Sequence, residues 1–191
     1  MELPDTHLDW ETQEVLDNKF SSMTIPLYNY GGTTAINIKY SYKLTNFDKV
    51  KEYIDDDSNS IFPDYALELE QIDDKEYQNF NLVIKNPSKK LFRIPNHASY
   101  INLQDSIQSN GKIDIFLPSY FLIIINHSFR VYSLDEAIVL PELELKIKYN
   151  DINNKVWIVK YTIKMDSAYR YRNNHLNSNF IYEFISKKYL N

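Results

Sequence analysis

Hydrophobic and polar residues alternate most regularly in residues 141–165. Apolar or aromatic side chains occupy every second position from Leu143 to Tyr149, with glutamates and lysines between them, and the run from Trp157 to Met165 repeats the pattern. Because successive side chains of a strand point to opposite faces, each run predicts a strand with one face in a core and the other in water. The Asn- and Asp-rich residues 150–154 suit a turn, so the two strands are predicted to form an antiparallel hairpin.

Shorter alternating runs predict further strands. They span residues 19–30, 36–44, 65–70, 80–84, 91–94, 113–117 and 180–184. Residues 19–30 and 36–44 are predicted to form a second hairpin, in which Gly31 and Gly32 supply the positive φ of a tight turn. On the solvent face of the first hairpin, Glu142 and Glu144 are expected to lie across from lysines of the partner strand.

Two segments have helical features. Phe47, Val50 and Ile54 follow helical spacing, and the preceding Thr45 or Asn46 is a candidate N-cap. Residues 119–126 are almost entirely apolar and follow a proline, which favours a short buried helix. A buried strand is the alternative for that segment, since an apolar run of this length does not distinguish the two.

These elements predict a mostly β fold. About eight strands, spaced 8–12 residues apart, are typical of an antiparallel, immunoglobulin-like β-sandwich, here with one or two short helices. The chain has 191 residues, which suits one domain. We assign residues 19–191 to that domain and residues 1–18 to a polar N-terminal extension that could form a short helix.

Composition narrows the classes of function. The chain has three glycines, no cysteine and a net charge of −5. A glycine-rich phosphate loop, a cysteine–zinc site and a thiol nucleophile are therefore not predicted, and no cofactor is expected. No block of lysines or arginines indicates nucleic-acid binding, no apolar run is long enough to cross a membrane, and no leader typical of secretion opens the sequence.

Two segments carry a resemblance to a known family. Ile25-Pro26-Leu27-Tyr28-Asn29-Tyr30-Gly31-Gly32-Thr33-Thr34-Ala35 and Leu143-Glu144-Leu145-Lys146-Ile147-Lys148-Tyr149-Asn150-Asp151 resemble strand–turn segments of immunoglobulin-like domains in uncharacterised bacterial membrane-associated proteins. The resemblance implies a β-sandwich over residues 20–185 and a place in the soluble part of such a protein. It implies no activity and no site residues.

Individual polar residues give weak signals of chemistry. The four histidines are scattered and have no metal-binding spacing, which favours surface or hydrogen-bonded core positions. Residues 55–57 and 73–74 are aspartates that could bind Ca²⁺, but they lack the calcium-loop pattern and are expected to be solvated. Asn126-His127-Ser128 matches the glycosylation acceptor, a motif short enough to occur by chance.

Residues 166–179 form the strongest candidate contact segment. This predicted polar loop contains Tyr169, Arg170, Tyr171 and Arg172, whose interleaved rings and cations could stack on a partner or bind acidic groups. Local pairing of the two arginines with carboxylates is the competing interpretation.

Without a catalytic constellation, the sequence favours a non-catalytic binding or assembly module. Its partner is expected to be a protein, bound through an edge strand or through residues 166–179. Two alternatives are a hydrolase that uses dispersed carboxylates such as Asp114, Asp135 and Glu136, and a phage or surface structural component.

Overall fold

A computed structural model describes residues 23–55, 66–72, 79–85, 91–97, 102–131, 138–172 and 175–190. In these ranges the chain is mostly β, and all strand pairs are antiparallel. The predicted N-terminal extension, residues 1–18, lies outside the described residues.

The described ranges contain twelve strands and two helices. The strands are β1 (Thr24–Tyr28), β2 (Ala35–Leu44), β3 (Ala66–Ile72), β4 (Asn79–Lys85), β5 (Leu91–His97), β6 (Asn102–Ile107), β7 (Lys112–Phe116), β8 (Leu143–Asn150), β9 (Val156–Met165), β10 (Arg170–Arg172), β11 (His175–Asn177) and β12 (Phe180–Leu190). The helices are α1 (Phe47–Asp55) and α2 (Ser119–Val131).

The largest sheet has five strands in the order β12-β9-β8-β2-β6. Its centre contains the hairpin predicted from residues 141–165, in which Leu143 lies opposite Ile163 and Asn150 opposite Val156. The Asp151 carboxylate closes the turn by accepting hydrogen bonds from the Asn153 and Lys155 amides. The alternation therefore predicted this hairpin correctly.

The predicted pairing of β1 with β2 is wrong. Strand β2 pairs with β8 on one side and β6 on the other, so it has no free edge. Strand β1 instead pairs with β7, and Ile25 lies opposite Ile115. The predicted glycine turn is also wrong, because no glycine of the described chain has positive φ. The Asn29 side chain holds the connection by accepting a hydrogen bond from the Gly31 amide at 2.9 Å.

Two smaller sheets complete the strands. Strands β3, β4 and β5 form a three-stranded sheet, whose edge strand β5 accommodates Pro95. Strands β10 and β11 form a short hairpin in which Arg170 lies opposite Asn177. Residues 166–179 are therefore not only the polar loop that the sequence predicted. Their hairpin is too short for the two-residue alternation to stand out from its polar surroundings.

Helix α1 follows the predicted spacing, with Phe47, Val50 and Ile54 buried. The residues before it do not cap it as predicted. The Thr45 hydroxyl donates to the carbonyl of Glu142, and the Asn46 amide group donates to Leu140 and accepts from the Glu142 amide. These bonds fasten the start of α1 to the segment that leads into β8.

Helix α2 forms the centre of the hydrophobic core. It extends to Val131, beyond the predicted end at residue 126, and the alternative of a buried strand is wrong. Every residue from Tyr120 to Phe129 is buried, as expected of a helix that is covered on all sides. The Phe121 ring packs on Phe180 of β12 at 5.5 Å, and the Tyr120 ring packs on Phe80 of β4 at 5.2 Å. The helix thus joins the five-stranded sheet to the three-stranded one.

Candidate functional site

The contact segment predicted around residue 170 lies beside helix α2. Tyr169 is 40% exposed, and its ring meets Phe129 edge-on at 4.9 Å. Arg170 is exposed. Tyr171 and Arg172 are described only as strand positions of β10, since their side chains lie outside the described part. The structure places this segment at the surface and ties one of its tyrosines to the core.

The burial of helix α2 tests the predictions made for Asn126 and His127. Asn126 is 4% exposed, so it is no acceptor for a glycan in the folded protein, and His127 is 2% exposed and belongs to the core. His97 and His175 are described only as positions in β5 and β11, and His7 lies outside the described residues.

The candidate carboxylates do not converge where the structure describes them. Asp114 lies on β7, where it forms an ion pair with Lys112 at 3.1 Å with both side chains about half exposed. Asp55 pairs with Lys51 on the surface of α1. Residues 56–57, 73–74 and 135–136 fall outside the described ranges. Within those ranges, no three His, Asp or Glu side chains cluster as a metal ion would require.

A groove lined by aromatic residues opens beside the five-stranded sheet. We call it the aromatic groove; its aromatic lining consists of Tyr28, Tyr30, Tyr149, Tyr161 and Phe184. It has a volume of about 260 Å³, which is below the usual range for sites that enclose a drug-sized ligand. Its charged lining residue is a lysine, and no carboxylate lines it. The groove is therefore suited to apolar side chains rather than to proton transfer between acidic groups.

The wall of the aromatic groove is formed by the connection between β1 and β2. The Tyr28 and Tyr30 rings stack at 5.4 Å, and Tyr30 is 81% exposed. Between them, the Asn29 amide nitrogen donates to the carbonyls of Thr33 at 2.8 Å and Ile107 at 3.0 Å. One side chain thus connects the β1–β2 wall to the end of β6.

Replacing Asn29 by aspartate is expected to lower the free energy of unfolding by about 1–3 kcal/mol. The carboxylate retains the acceptor for the Gly31 amide but turns an oxygen toward two carbonyl oxygens that have lost their donor. Chemical denaturation followed by circular dichroism measures the change. Asn153→Asp, in the exposed β8–β9 turn, is the matched control and should change the stability by less than about 0.5 kcal/mol. Equal effects of the two substitutions would contradict this role of Asn29.

The groove continues onto β12, the outermost strand of the five-stranded sheet. On the side away from β9, β12 has no strand partner among the described residues. Four exposed large hydrophobic residues lie on it: Tyr182 (44%), Phe184 (61%), Ile185 (47%) and Tyr189 (45%). We call this strand and its unpaired side the β12 edge. An edge with free backbone groups and exposed rings is a template for another strand.

A bulge divides β12 into two halves. The register with β9 shifts between Phe184 and Ser186, so Ile185 is the additional residue. Beyond the bulge, the Lys187 ammonium lies 4.8 Å from the centre of the Trp157 ring, which in turn packs on Tyr189 at 5.5 Å. The second half is therefore cationic as well as aromatic.

The Trp157 indole is also fixed from the β8–β9 turn. Its N–H donates to the Asp151 carboxylate at 3.1 Å. That hydrogen bond is the main cause of the lowered pKa of Asp151, and the backbone amides of Lys155 and Asn153 add to it. The bond orients the ring on which Lys187 rests.

One face of the five-stranded sheet, the inner face, packs on the core and lines the aromatic groove. The other face, which we call the outer face, carries seven lysines. They are Lys39, Lys43, Lys146, Lys148, Lys160, Lys164 and Lys188. Glu144 binds Lys160 at 2.7 Å, which confirms the predicted pairing, and Glu183 binds Lys164 at 2.6 Å. Strand alternation separates these lysines along the sequence, so no block of charge revealed the face.

Sequence reasoning identified the strand at residues 180–184 but not its exposure. Phe180, Tyr182 and Phe184 share one face of the strand, but of the three only Phe180 packs against the core. Alternation indicates which residues share a face, but it does not indicate how far a covering layer extends. The lysines at 187 and 188 were the available signal, since edge strands often carry lysine.

No protein-family model matches the chain, and neither the curated proteins nor the solved structures contain a match. The resemblance to immunoglobulin-like domains therefore rests on the residues quoted for it. Among the described residues, neither helix is both long and apolar enough to span a membrane.

Proposed function

We propose that this protein is a non-catalytic binding and assembly module that accepts an additional β-strand along the β12 edge. The observation that supports this proposal is the coincidence of an eleven-residue strand with no partner on one side among the described residues, four exposed hydrophobic side chains on it, and an adjoining aromatic groove. Elsewhere in the described chain, exposed large hydrophobic residues are dispersed among other elements.

The chemistry of strand addition fits this surface. The backbone of an added strand would bind the N–H and C=O groups on the side of β12 that faces no other described strand, and its alternate side chains would project toward the groove. Tyrosine and tryptophan contribute large contact areas at interfaces with little loss of conformational entropy. The cations at Lys155 and Lys187, which lie near the Tyr189 and Trp157 rings, favour a partner strand that carries acidic residues.

The finer description of the fold and its location belongs to the same proposal. We place the chain among immunoglobulin-like sandwiches and in the soluble part of a bacterial membrane-associated protein. The resemblance of residues 25–35 and 143–151 supports this placement, as do the antiparallel sheets joined through one hydrophobic core.

A displayed library of random ten-residue peptides tests the binding function. Peptides enriched on the wild-type protein should alternate apolar and polar residues, because only every second side chain reaches the groove. Phe184→Lys should weaken their binding at least about tenfold, since it places a charge on the aromatic edge. The matched control is Leu103→Lys, which replaces a 68% exposed residue on β6, the opposite edge of the sheet.

The two variants distinguish binding at the β12 edge from binding at another hydrophobic surface. Peptides that bind wild type and Phe184→Lys equally would exclude β12 as the binding site. Loss of binding in Leu103→Lys alone would assign the function to the β6 edge instead.

A further inference from the structure

The register with β9 assigns the residues of β12 to the two faces of the sheet. Before the bulge, Tyr182 and Phe184 lie opposite inner residues of β9, and after the bulge Lys187 and Tyr189 do so. The outer-face positions are Ile181, Glu183, Ser186, Lys188 and Leu190. The inner face therefore carries even-numbered residues before the bulge and odd-numbered residues after it.

This change of parity affects how β12 could pair with a copy of itself. Two antiparallel copies related by a two-fold axis perpendicular to the sheet bring residues of the same face together. In a strand without a bulge, such an axis must pass through a residue. In β12 the additional residue changes the parity. Residues of the same face therefore lie opposite each other when the axis is level with the bond between Ile185 and Ser186.

That register pairs opposite charges and pairs aromatic residues. Glu183 of one copy lies opposite Lys188 of the other, and Tyr182 lies opposite Tyr189. Symmetry produces each contact twice. A displacement by two residues would place Lys188 opposite Ile181 and leave both Glu183 side chains without the additional cation. Opposite charges and aromatic pairs stabilise antiparallel strand pairs, so they favour the first register.

We propose that the partner strand of the β12 edge is β12 of a second copy of this chain, so that two five-stranded sheets join into one. The inference rests on the proposed function and names the occupant of the same edge. In the single chain, Glu183 already binds Lys164 at 2.6 Å, whereas Lys188 is exposed and has no ion pair within the described residues. The dimer places Glu183 between two cations.

The lysines of β12 have a second consequence. Lysines and bulges on edge strands normally prevent pairing with unrelated chains. In the proposed register, Lys188 meets a carboxylate and Lys187 lies opposite the Phe184 ring of the second copy, where a cation is attracted to the aromatic face. The edge thus disfavours strands without an acidic residue at that position and accepts its own sequence.

Charge reversal tests the pairing. In size-exclusion chromatography with light scattering, the wild type at micromolar concentration should have about twice the 22.7 kDa mass of the chain. Glu183→Lys and Lys188→Glu should each weaken dimerisation about tenfold or more, because each replaces two attractions by two repulsions. The double variant that exchanges the two charges should restore dimerisation. Lys146→Glu, an exposed outer-face lysine away from the edge, should leave the dimer unchanged.

Engineered cysteines test the register directly, since the chain has no cysteine of its own. In Tyr182→Cys/Tyr189→Cys the new thiols of opposite copies lie at cross-strand distance, which suits a disulfide. Mild oxidation should therefore convert this variant into a covalent dimer. Tyr182→Cys/Lys187→Cys corresponds to a register displaced by two residues and should remain largely uncrosslinked. Within one chain, positions 182 and 189 are too far apart along an extended strand to react with each other.

The outcomes separate this inference from the proposed function. A monomeric wild type, or a dimer insensitive to both charge reversals, would overturn self-pairing. If peptides from the library still bound in a manner sensitive to Phe184→Lys, strand binding at β12 would stand with a different partner. Efficient crosslinking of the displaced cysteine pair would overturn the register, and failure of the charge exchange to restore the dimer would overturn the pairing of Glu183 with Lys188.

Discussion

Replacing Phe121 by alanine is expected to lower the free energy of unfolding by about 3–5 kcal/mol. The Phe121 side chain is fully buried at the centre of α2 and packs on Phe180 of β12 at 5.5 Å. Its removal loses the apolar contacts and leaves a cavity that the closely packed helix and sheet cannot fill completely. Urea denaturation followed by tryptophan fluorescence and circular dichroism measures the loss.

Phe116→Ala is the matched control for this substitution. Phe116 is the same residue type on β7, but it is 53% exposed, so its truncation should change stability by less than about 1 kcal/mol. A Phe121→Ala protein as stable as Phe116→Ala would contradict a core built around α2.

Raising the pH above about 10 is expected to destabilise the fold through two buried tyrosines. Burial raises the pKa of Tyr42, and nearby Tyr40, Tyr120 and Tyr182 raise it further. Burial also raises the pKa of Tyr120. The folded chain therefore retains protons that the unfolded chain releases. The stabilisation is complete below pH 10 and is lost as the pH rises from there toward the folded pKa values.

The size of the effect follows from proton linkage. Two such groups should together cost about 2 kcal/mol of unfolding free energy between pH 10 and pH 11. In the described structure, the Tyr42 and Tyr120 hydroxyls are buried without a hydrogen-bond partner. The Tyr42→Phe/Tyr120→Phe double variant should therefore equal or exceed wild-type stability at pH 7 and should lose less stability above pH 10.

An exposed tyrosine provides the control for this titration. Tyr30 is 81% exposed, so Tyr30→Phe should follow the wild-type pH dependence. Urea denaturation repeated from pH 7 to pH 11.5 gives the three curves. If the double variant and the wild type lost stability in parallel, the buried tyrosines would not be the groups responsible.

The sequence predicted elements whose hydrophobic pattern is local. The β8–β9 hairpin has two long alternating runs and a short turn, so its partner strand lies next to it in sequence. The spacing of Phe47, Val50 and Ile54 likewise predicted one or two helical turns, and α1 has nine residues. The end of α2 was placed too early because Asn126, His127 and Ser128 are polar, yet the core accommodates them.

Pairing between distant segments could not be predicted in this way. Strand β1 is adjacent in sequence to β2 but pairs with β7, because both edges of β2 are taken by strands from residues 102–107 and 143–150. Alternation carries no information about which edges are free. The same limit applies to the candidate site, since the exposure of Tyr182 and Phe184 depends on the extent of the covering layer.

The apolar run at residues 120–125 of α2 affects how the chain is made. The helix emerges from the ribosome before β8, β9 and β12, the strands that supply much of its cover, have emerged. During that interval, most of its leucine and isoleucine side chains are exposed to water. A nascent chain that pauses at this stage should be the form most prone to aggregate. A holdase chaperone would bind it at residues 120–125, its longest apolar run.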